Sequence, residues 1–528
     1  MKKSMIKLLL MFPIVVFMAC DKDFLETEPK GQPTLANFWK TETDAERAVN
    51  ALYLMNDFQG TYGRGMFLYS LIPSDDFVVG KSKGQIEDIK DFVTDGTGSY
   101  TRDIWPMHFQ VIKRANDILN YVPEMQISQQ KKDFALGNAY FMRGLAYFQL
   151  SLLYGHANAG IPVVDETTED FYIERPTSVS VSYAFAAENF TKAAELLPLF
   201  SSLSSSDYGK AHKNAAYAYL AKTHLHNAEF DNASWQKVID ACGEVILTQP
   251  DLEPNFEDVF KIANNWGKDY IWSVPSNTVG GSILPGASLE NKAWGKYNGW
   301  GYFAPTLDLY ESYQAGDLRR DATLLAFGDE FEFFGATRKY ASTRNLTGFQ
   351  LKKYMEPYGY KDGEQLNGNG DHPTTNLNMP LLRLSEVYLM RAEAKIALGQ
   401  DGDADLNKVR MRAGLTAITG ATLDDVKYER RAEFAGELFG RFEDLCRWGD
   451  VAEIQKALSG KPHQGVEIDT AEGENKGFPV LTTDYTQVFP TSEVWKARTN
   501  FDLNKHRVWP IPQSVIDQSR GTITQNER

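Results

Sequence analysis

Apolar residues recur at steps of three and four along several long stretches of the chain. Residues 131–155 place Phe141, Leu145, Phe148 and Leu152 on one face, and residues 213–230 align Tyr217, Leu220, Ala221, His224 and Ala228. Trp235, Val238, Ile239, Cys242 and Ile246 form a third stripe, and Leu381, Leu384, Tyr388, Ala392 and Ile396 a fourth. Tyr428, Ala432, Ala435, Phe439, Phe442 and Cys446 form a fifth. A period near 3.6 puts each set on one helix face, whereas strand side chains alternate with period two. The chain therefore reads as mainly α.

Some of these stripes come in pairs joined by short turns, 211–230 with 234–247 and 382–398 with 403–413. Gly137, Gly144, Gly436 and Gly440 would let neighbouring helices approach closely. Helix pairs mixing large and small residues suggest tetratricopeptide-like packing. The repeat is irregular, and about 130 residues separate the second pair from the first. The expected architecture is an α-solenoid scaffold with long, irregular, aromatic-rich insertions at about 250–380 and 460–505. Structureless loops that long are uncommon unless functional, and loops on a rigid scaffold are a common recognition design.

The N-terminus points to export. Lys2, Lys3 and Lys7 precede a 12-residue apolar run from Leu8 to Ala19. A bilayer-spanning helix needs about 20 apolar residues, so the run is too short to remain as an anchor. A basic start, an apolar middle and a small residue before a cut make a secretory signal. Cutting between Ala19 and Cys20 leaves a thiol at the new N-terminus, where bacterial lipoproteins carry lipid. Residues 1–19 are read as the signal peptide, 20–33 as lipidated cysteine and tether, and 34–528 as one domain. The plainer alternative is an ordinary signal peptide with a cysteine nearby by chance.

Charge excludes some partners. The chain carries −15, and losing a signal with three lysines and no acid takes it to −18. That balance argues against nucleic acid, whose phosphates demand clustered Lys and Arg, and against electrostatic adhesion to anionic lipid. Cys242 and Cys446 fall on apolar faces and read as buried thiols, with no zinc spacing.

Sequences that carry enzyme chemistry are absent: there is no HExxH, GxSxG, P-loop or Rossmann glycine pattern. His224 and His226 are two apart and face different sides of a helix, so a shared metal is not expected. Asp401, Asp403 and Asp405 match the first three positions of a calcium loop, but Leu406 replaces its glycine and Arg412 its glutamate. A glycine-containing turn with an Asp cap before a helix fits better. No segment singles out a carboxylate pair for glycoside hydrolysis. No catalytic residue, metal or cofactor is expected.

The strongest recognition candidate is NKAWGKYNGWGYFAPT, residues 291–306, where Trp294, Tyr297, Trp300, Tyr302 and Phe303 alternate with glycines. Flat rings beside Asn and Lys suit the apolar face of a sugar, and peptide side chains would also fit. The competing reading is that the rings pin a long loop to the core. A weaker second set is SDDF at 74–77 and GSYTRD at 98–103. An exposed Asp75 or Asp76 could accept sugar hydroxyl groups and Tyr100 could stack, although turn chemistry explains either acid alone. Trp105 begins a helical stripe and reads as core.

Taken together, CDKDFLETEP after the signal, SDDF, WPMHFQVIKRAND, LLRLSEVYLMRAEAKIALG, LNKVRMRAGL, ERRAEFAGELFGRFEDLCRWGD and the terminal RVWPIPQSVID resemble the SusD/RagB family of nutrient-binding outer-membrane lipoproteins. They span almost the whole chain in the family's order. The resemblance implies a tetratricopeptide-like fold with insertions. It implies a surface lipoprotein acting as a lid on a SusC-type TonB-dependent transporter, capturing oligosaccharides or, in some members, peptides. A surface glycoside hydrolase is the less favoured alternative. Asp21 and Asp23 after Cys20 resemble the acidic mark for export to the outer face, with Lys22 interrupting it. By position, Asp75 matches the acid used by starch-binding members, and Tyr100 falls near their first aromatic. Trp294, Tyr297 and Trp300 fall in the region that supplies later ones.

Overall fold

A computed structural model describes residues 38–53, 59–80, 84–170, 172–276, 301–333, 336–340, 347–355, 360–361, 364–365, 376–459, 466–468, 479–481 and 496–527. The signal, Cys20 and the tether lie outside the described residues. Among those described, no helix is long and apolar enough to cross a membrane.

The principal helices are α1 (Glu42–Leu52), α2 (Gly65–Leu71), α3 (Ile104–Tyr121), α4 (Gln129–Tyr154), α5 (Val179–Leu196), α6 (Lys213–Asn227), α7 (Ser234–Thr248), α8 (Leu384–Ala397), α9 (Asp403–Arg412), α10 (Leu423–Phe434) and α11 (Arg441–Trp448). Local chemistry fixes some of their starts. The Thr41 hydroxyl accepts from the Asp44 amide at 3.2 Å, and the Asp44 carboxylate accepts from the Thr41 amide at 2.9 Å, a reciprocal cap worth about 1 kcal/mol. Thr422 and Asp425 repeat the device before α10.

From α3 to α7 each helix packs on the next, and α8 then packs on α7 and is itself covered by α9 and α10. The chain thus leaves the stack after Thr248 and rejoins it at Leu384 with no gap in space. This is the mainly helical, tetratricopeptide-like scaffold expected. Two of the four glycines act as anticipated. A β-carbon on Gly137 would sit 2.7 Å from the Leu197 side chain, and one on Gly144 3.2 Å from the Ala186 carbonyl oxygen, so both let α4 lie against the α5 region.

Gly436 and Gly440 do not lie within helices, and the single helix expected through 428–450 is broken. α10 ends at Phe434 and α11 begins at Arg441. Between them Gly436 has φ +81°, and a side chain there would meet Leu351 at 2.7 Å. Phe439 also takes a positive φ of +56°. The turn is set by close packing rather than by local preference. The stripe assigned to α6 holds only in part: Ala221 and Ala228 are buried, but Tyr217, Leu220 and His224 are only partly covered, and Ala215, Ala218, Tyr219, Lys222 and His226 turn inward as well.

The insertion at 250–380 is partly ordered into short antiparallel pairs. The strands that pack on the scaffold include β1 (Phe77–Val79), β2 (Tyr270–Val274), β3 (Phe303–Pro305), β4 (Leu324–Ala326), β5 (Phe349–Leu351) and β6 (Met379–Arg383). β1 pairs with β3, β2 with β6, and β4 with β5. The β2–β6 pair rests on α6, where Trp272 meets Tyr219 edge to face at 5.9 Å. Trp105, Cys242 and Cys446 are buried as expected, both thiols free. At the C-terminus Trp509 stacks on Tyr69 of α2 with centroids 4.2 Å apart, and its amide donates to the Leu153 carbonyl of α4 at 2.7 Å.

The three acids of residues 401–405 are occupied by protein donors. Asp401 accepts from the Asp403 amide at 2.8 Å, Asp403 from the Gly420 and Ala421 amides, and Asp405 from Arg391 and Lys395. Asp401 closes the turn before α9, Asp403 ties α9 to the 420–421 loop and Asp405 ties it to α8; the expected Asp cap is absent, since the N-cap is Gly402 with no side-chain cap.

Charged residues also fill the interior behind α10. Arg319, Lys353, Arg383, Arg410 and Arg412 face Asp269, Asp317, Glu429, Glu433 and Glu437, a charge-balanced set. Lys222, Arg430 and Arg447 face Glu386, Asp444 and Glu393 in a second balanced set. Full pairing is what makes burial of charge tolerable.

Candidate functional site

The SDDF loop lies between α2 and β1. The expectation that Asp75 or Asp76 is exposed to ligand is overturned: Asp75 is 0% exposed and Asp76 1%. Arg441 donates to Asp75 through Nε and Nη2 at 2.8 and 2.9 Å, and Arg431 reaches Asp76 at 2.8 Å. Burial alone would push the Asp75 carboxyl up, but Arg431 and Arg441 outweigh it and hold it well below the usual carboxylate range. Arg498 closes the loop from another side, donating to the Pro73 and Ser74 carbonyls at 2.7 and 3.0 Å. These partners lie more than 350 residues away in sequence. The motif is a junction tying the first third of the chain to α10, α11 and the C-terminal segment. Its carboxylates are committed to arginine and are not offered to a ligand.

Tyr100 is differently placed. It is partly buried, its ring meets Tyr302 edge-on at 6.2 Å, and the Arg64 guanidinium covers it 4.2 Å from its centroid. The β1–β3 pairing brings this corner together, with Val79 opposite Phe303 and the Gly80 amide donating to the Tyr302 carbonyl at 2.9 Å. Tyr302 thus joins Tyr100, though its own ring is largely buried. Trp294, Tyr297 and Trp300 lie outside the described residues; in sequence they directly precede Gly301 and Tyr302.

Sequence reasoning missed Arg64. It sits in QGTYGRG, where Gly65 allows the Gly60 and Tyr100 carbonyls to come close, since a β-carbon there would lie 2.1 Å from the Gly60 oxygen. A cation set among three nearby glycines was the available signal.

Two further features bear on chemistry. Glu443 and Asp444 are adjacent acids with opposite behaviour: burial pushes Glu443 up to about 8, while Asp444, against Arg430 and Arg447, is held at about 2 despite its burial. Unequal neighbouring carboxyls can mark an acid–base pair. Here both are buried, and Glu443 accepts from Ser70 of α2 at 3.0 Å, so the pair belongs to the packing of α2 on α11. A cavity of about 240 Å³ lies in the helical stack, lined by Trp235, Ile396, Leu423, Arg447 and Trp448. Its polar groups are paired, with Arg447 and the Trp448 indole N–H both donating to Glu393.

Comparison with known proteins agrees with this architecture. Residues 268–528 match the model of the SusD family, and residues 23–225 match a model described as starch-binding, associating with outer membrane. A SusD-like protein of Bacteroides ovatus is 25% identical, covering 82% of this chain and 80% of its own. A SusD-like protein from Bacteroides fragilis shares the fold at TM-score 0.72 and 22% identity, over 93% of this chain and 97% of that one. Surface glycan-binding protein A from Bacteroides thetaiotaomicron, solved in complex with laminarihexaose, does so at TM-score 0.69 and 22% identity, over 92% and 99%. With its helical stack, interleaved insertions and matching N- and C-terminal segments, the chain belongs to the SusD/RagB family.

Proposed function

We propose that this protein is a non-enzymatic, glycan-capturing lipoprotein of the outer membrane. Lipid on Cys20 holds it to the outer face, its scaffold docks on a SusC-type TonB-dependent transporter, and its aromatic corner holds oligosaccharides for import. The family model described as starch-binding and outer-membrane-associating supports the location. Relatives named as starch-, laminarin- or glycan-binding support the ligand class. The observation that carries the reading is the Tyr100–Tyr302 corner, which lies beside the chain entry from the Trp294–Trp300 segment. Tyr100, Trp294, Tyr297 and Trp300 are assigned to ligand; Asp75 is withdrawn from that role.

A few stacking contacts suit a weak hold. A millimolar dissociation constant corresponds to only about −4 kcal/mol, and weak capture favours release to a transporter. Replacing Tyr100, Trp294, Tyr297 and Trp300 together by alanine is expected to weaken oligosaccharide binding at least about tenfold, or 1.4 kcal/mol, with thermal unfolding unchanged. Isothermal titration reads both proteins. Unchanged affinity in the quadruple variant would place the ligand elsewhere.

A further inference from the structure

Among the described residues, the buried and half-buried arginines other than Arg64 each meet at least one acceptor, although single nitrogens of Arg412, Arg430 and Arg431 make no hydrogen bond. Arg319, Arg383, Arg430 and Arg447 meet acids, and Arg175 and Arg498, which meet none, are filled by backbone carbonyls. Arg64 departs from this pattern. Its guanidinium carbon sits over Tyr100, 4.2 Å from the ring centroid. Its Nε is sealed from solvent with no acceptor, and among the described residues the side chain makes no hydrogen bond or ion pair. The Tyr100 hydroxyl likewise has no partner among the described residues.

We propose that Arg64, braced on Tyr100, is the charge-reading group of the ligand site and that the captured glycan is acidic, carrying uronate carboxylates or sulfate esters. The inference rests on the glycan-binding reading above and deepens it. Stacking on an aromatic ring fixes the plane of a guanidinium while leaving its edge open, and that planar fork matches a two-oxygen anion. With Nε sealed, the anion is met end-on by Nη1 and Nη2. The Tyr100 hydroxyl addresses a neighbouring sugar hydroxyl. A neutral glycan would leave the guanidinium without a counter-charge.

The test uses the mature protein in detergent with oligogalacturonides, sulfated carrageenan oligosaccharides and neutral laminari-oligosaccharides as probes, read by isothermal titration. The wild type is expected to bind one acidic probe and to weaken as salt rises. Arg64→Gln should lose that binding about ten- to a hundredfold, the range for a charge-assisted hydrogen bond, with unfolding temperature unchanged. Arg64→Lys should recover part of it. The probe that binds separates carboxylate from sulfate ester. If only the neutral probe binds, or Arg64→Gln binds the acidic probe as the wild type does, the acidic-ligand inference is overturned while glycan capture stands. If no glycan of either kind binds, both fall.

Discussion

Replacing Arg383 with methionine is expected to lower the free energy of unfolding by roughly 3–5 kcal/mol, the range for removing one partner of a buried ion pair. Arg383 is 1% exposed and lies at the end of β6. It donates to Glu433 through Nη1 at 2.7 Å, to Glu437 through Nε and Nη2 at 2.8 and 2.7 Å, and to Ser385 at 2.8 Å. Burial alone would push the Glu433 carboxyl up; Arg412, Arg383 and Arg319 outweigh it and hold it far below the usual range. Methionine fills similar volume, so cavity formation is a minor contributor and the loss is that of charge compensation. Two buried carboxylates then share fewer cations. Urea unfolding followed by circular dichroism measures the change. A cost under about 1 kcal/mol would mean that water or rearrangement compensates the site. A carboxylate held low, like Glu433, stabilises the fold above its unfolded value and loses that contribution as pH falls, so this network also weakens in acid.

Glu443 has the opposite sign. Burial pushes its carboxyl from 4.5 up to about 8, outweighing the hydrogen bonds from its own backbone and Ser70. The folded protein therefore keeps a proton that the unfolded chain releases above about pH 4.5. The associated stability is full below that value and is lost as pH rises through about 8. Glu443→Gln keeps a neutral group that can still accept from Ser70. The variant is expected to match the wild type near pH 5 and to exceed it by on the order of 3 kcal/mol at pH 8.5. Denaturant midpoints across that range measure the difference. A difference that does not change with pH would show that Glu443 is not protonated in the fold.

The scaffold was legible because helix period is a local property. Phe141, Leu145 and Phe148 are fully buried, and the pairs at 211–230 with 234–247 and 382–398 with 403–413 appear within a few residues of α6, α7, α8 and α9. What failed depended on distant partners. In α10 the inward residues include Glu429, Arg430 and Glu433, while Tyr428, read as core, is only partly buried. Charge usually marks the solvated face, and nothing local announces that Arg319 and Arg383 will meet these acids from elsewhere. SDDF misled for the same reason: two acids beside a serine look like an exposed turn until Arg431, Arg441 and Arg498 close over them. The break at Gly436 was hidden because its cause is the Leu351 side chain from β5. Of the site, Tyr100 was visible as an aromatic in a turn, and Arg64 was not, because its lack of a partner is a three-dimensional fact.

The most direct test of glycan capture without catalysis is to screen residues 21–528 against neutral and acidic oligosaccharides and against peptides, reading binding and product release in the same samples. The account predicts binding of one glycan class with every oligosaccharide recovered intact. Release of shorter sugars, or binding confined to peptides, would contradict it.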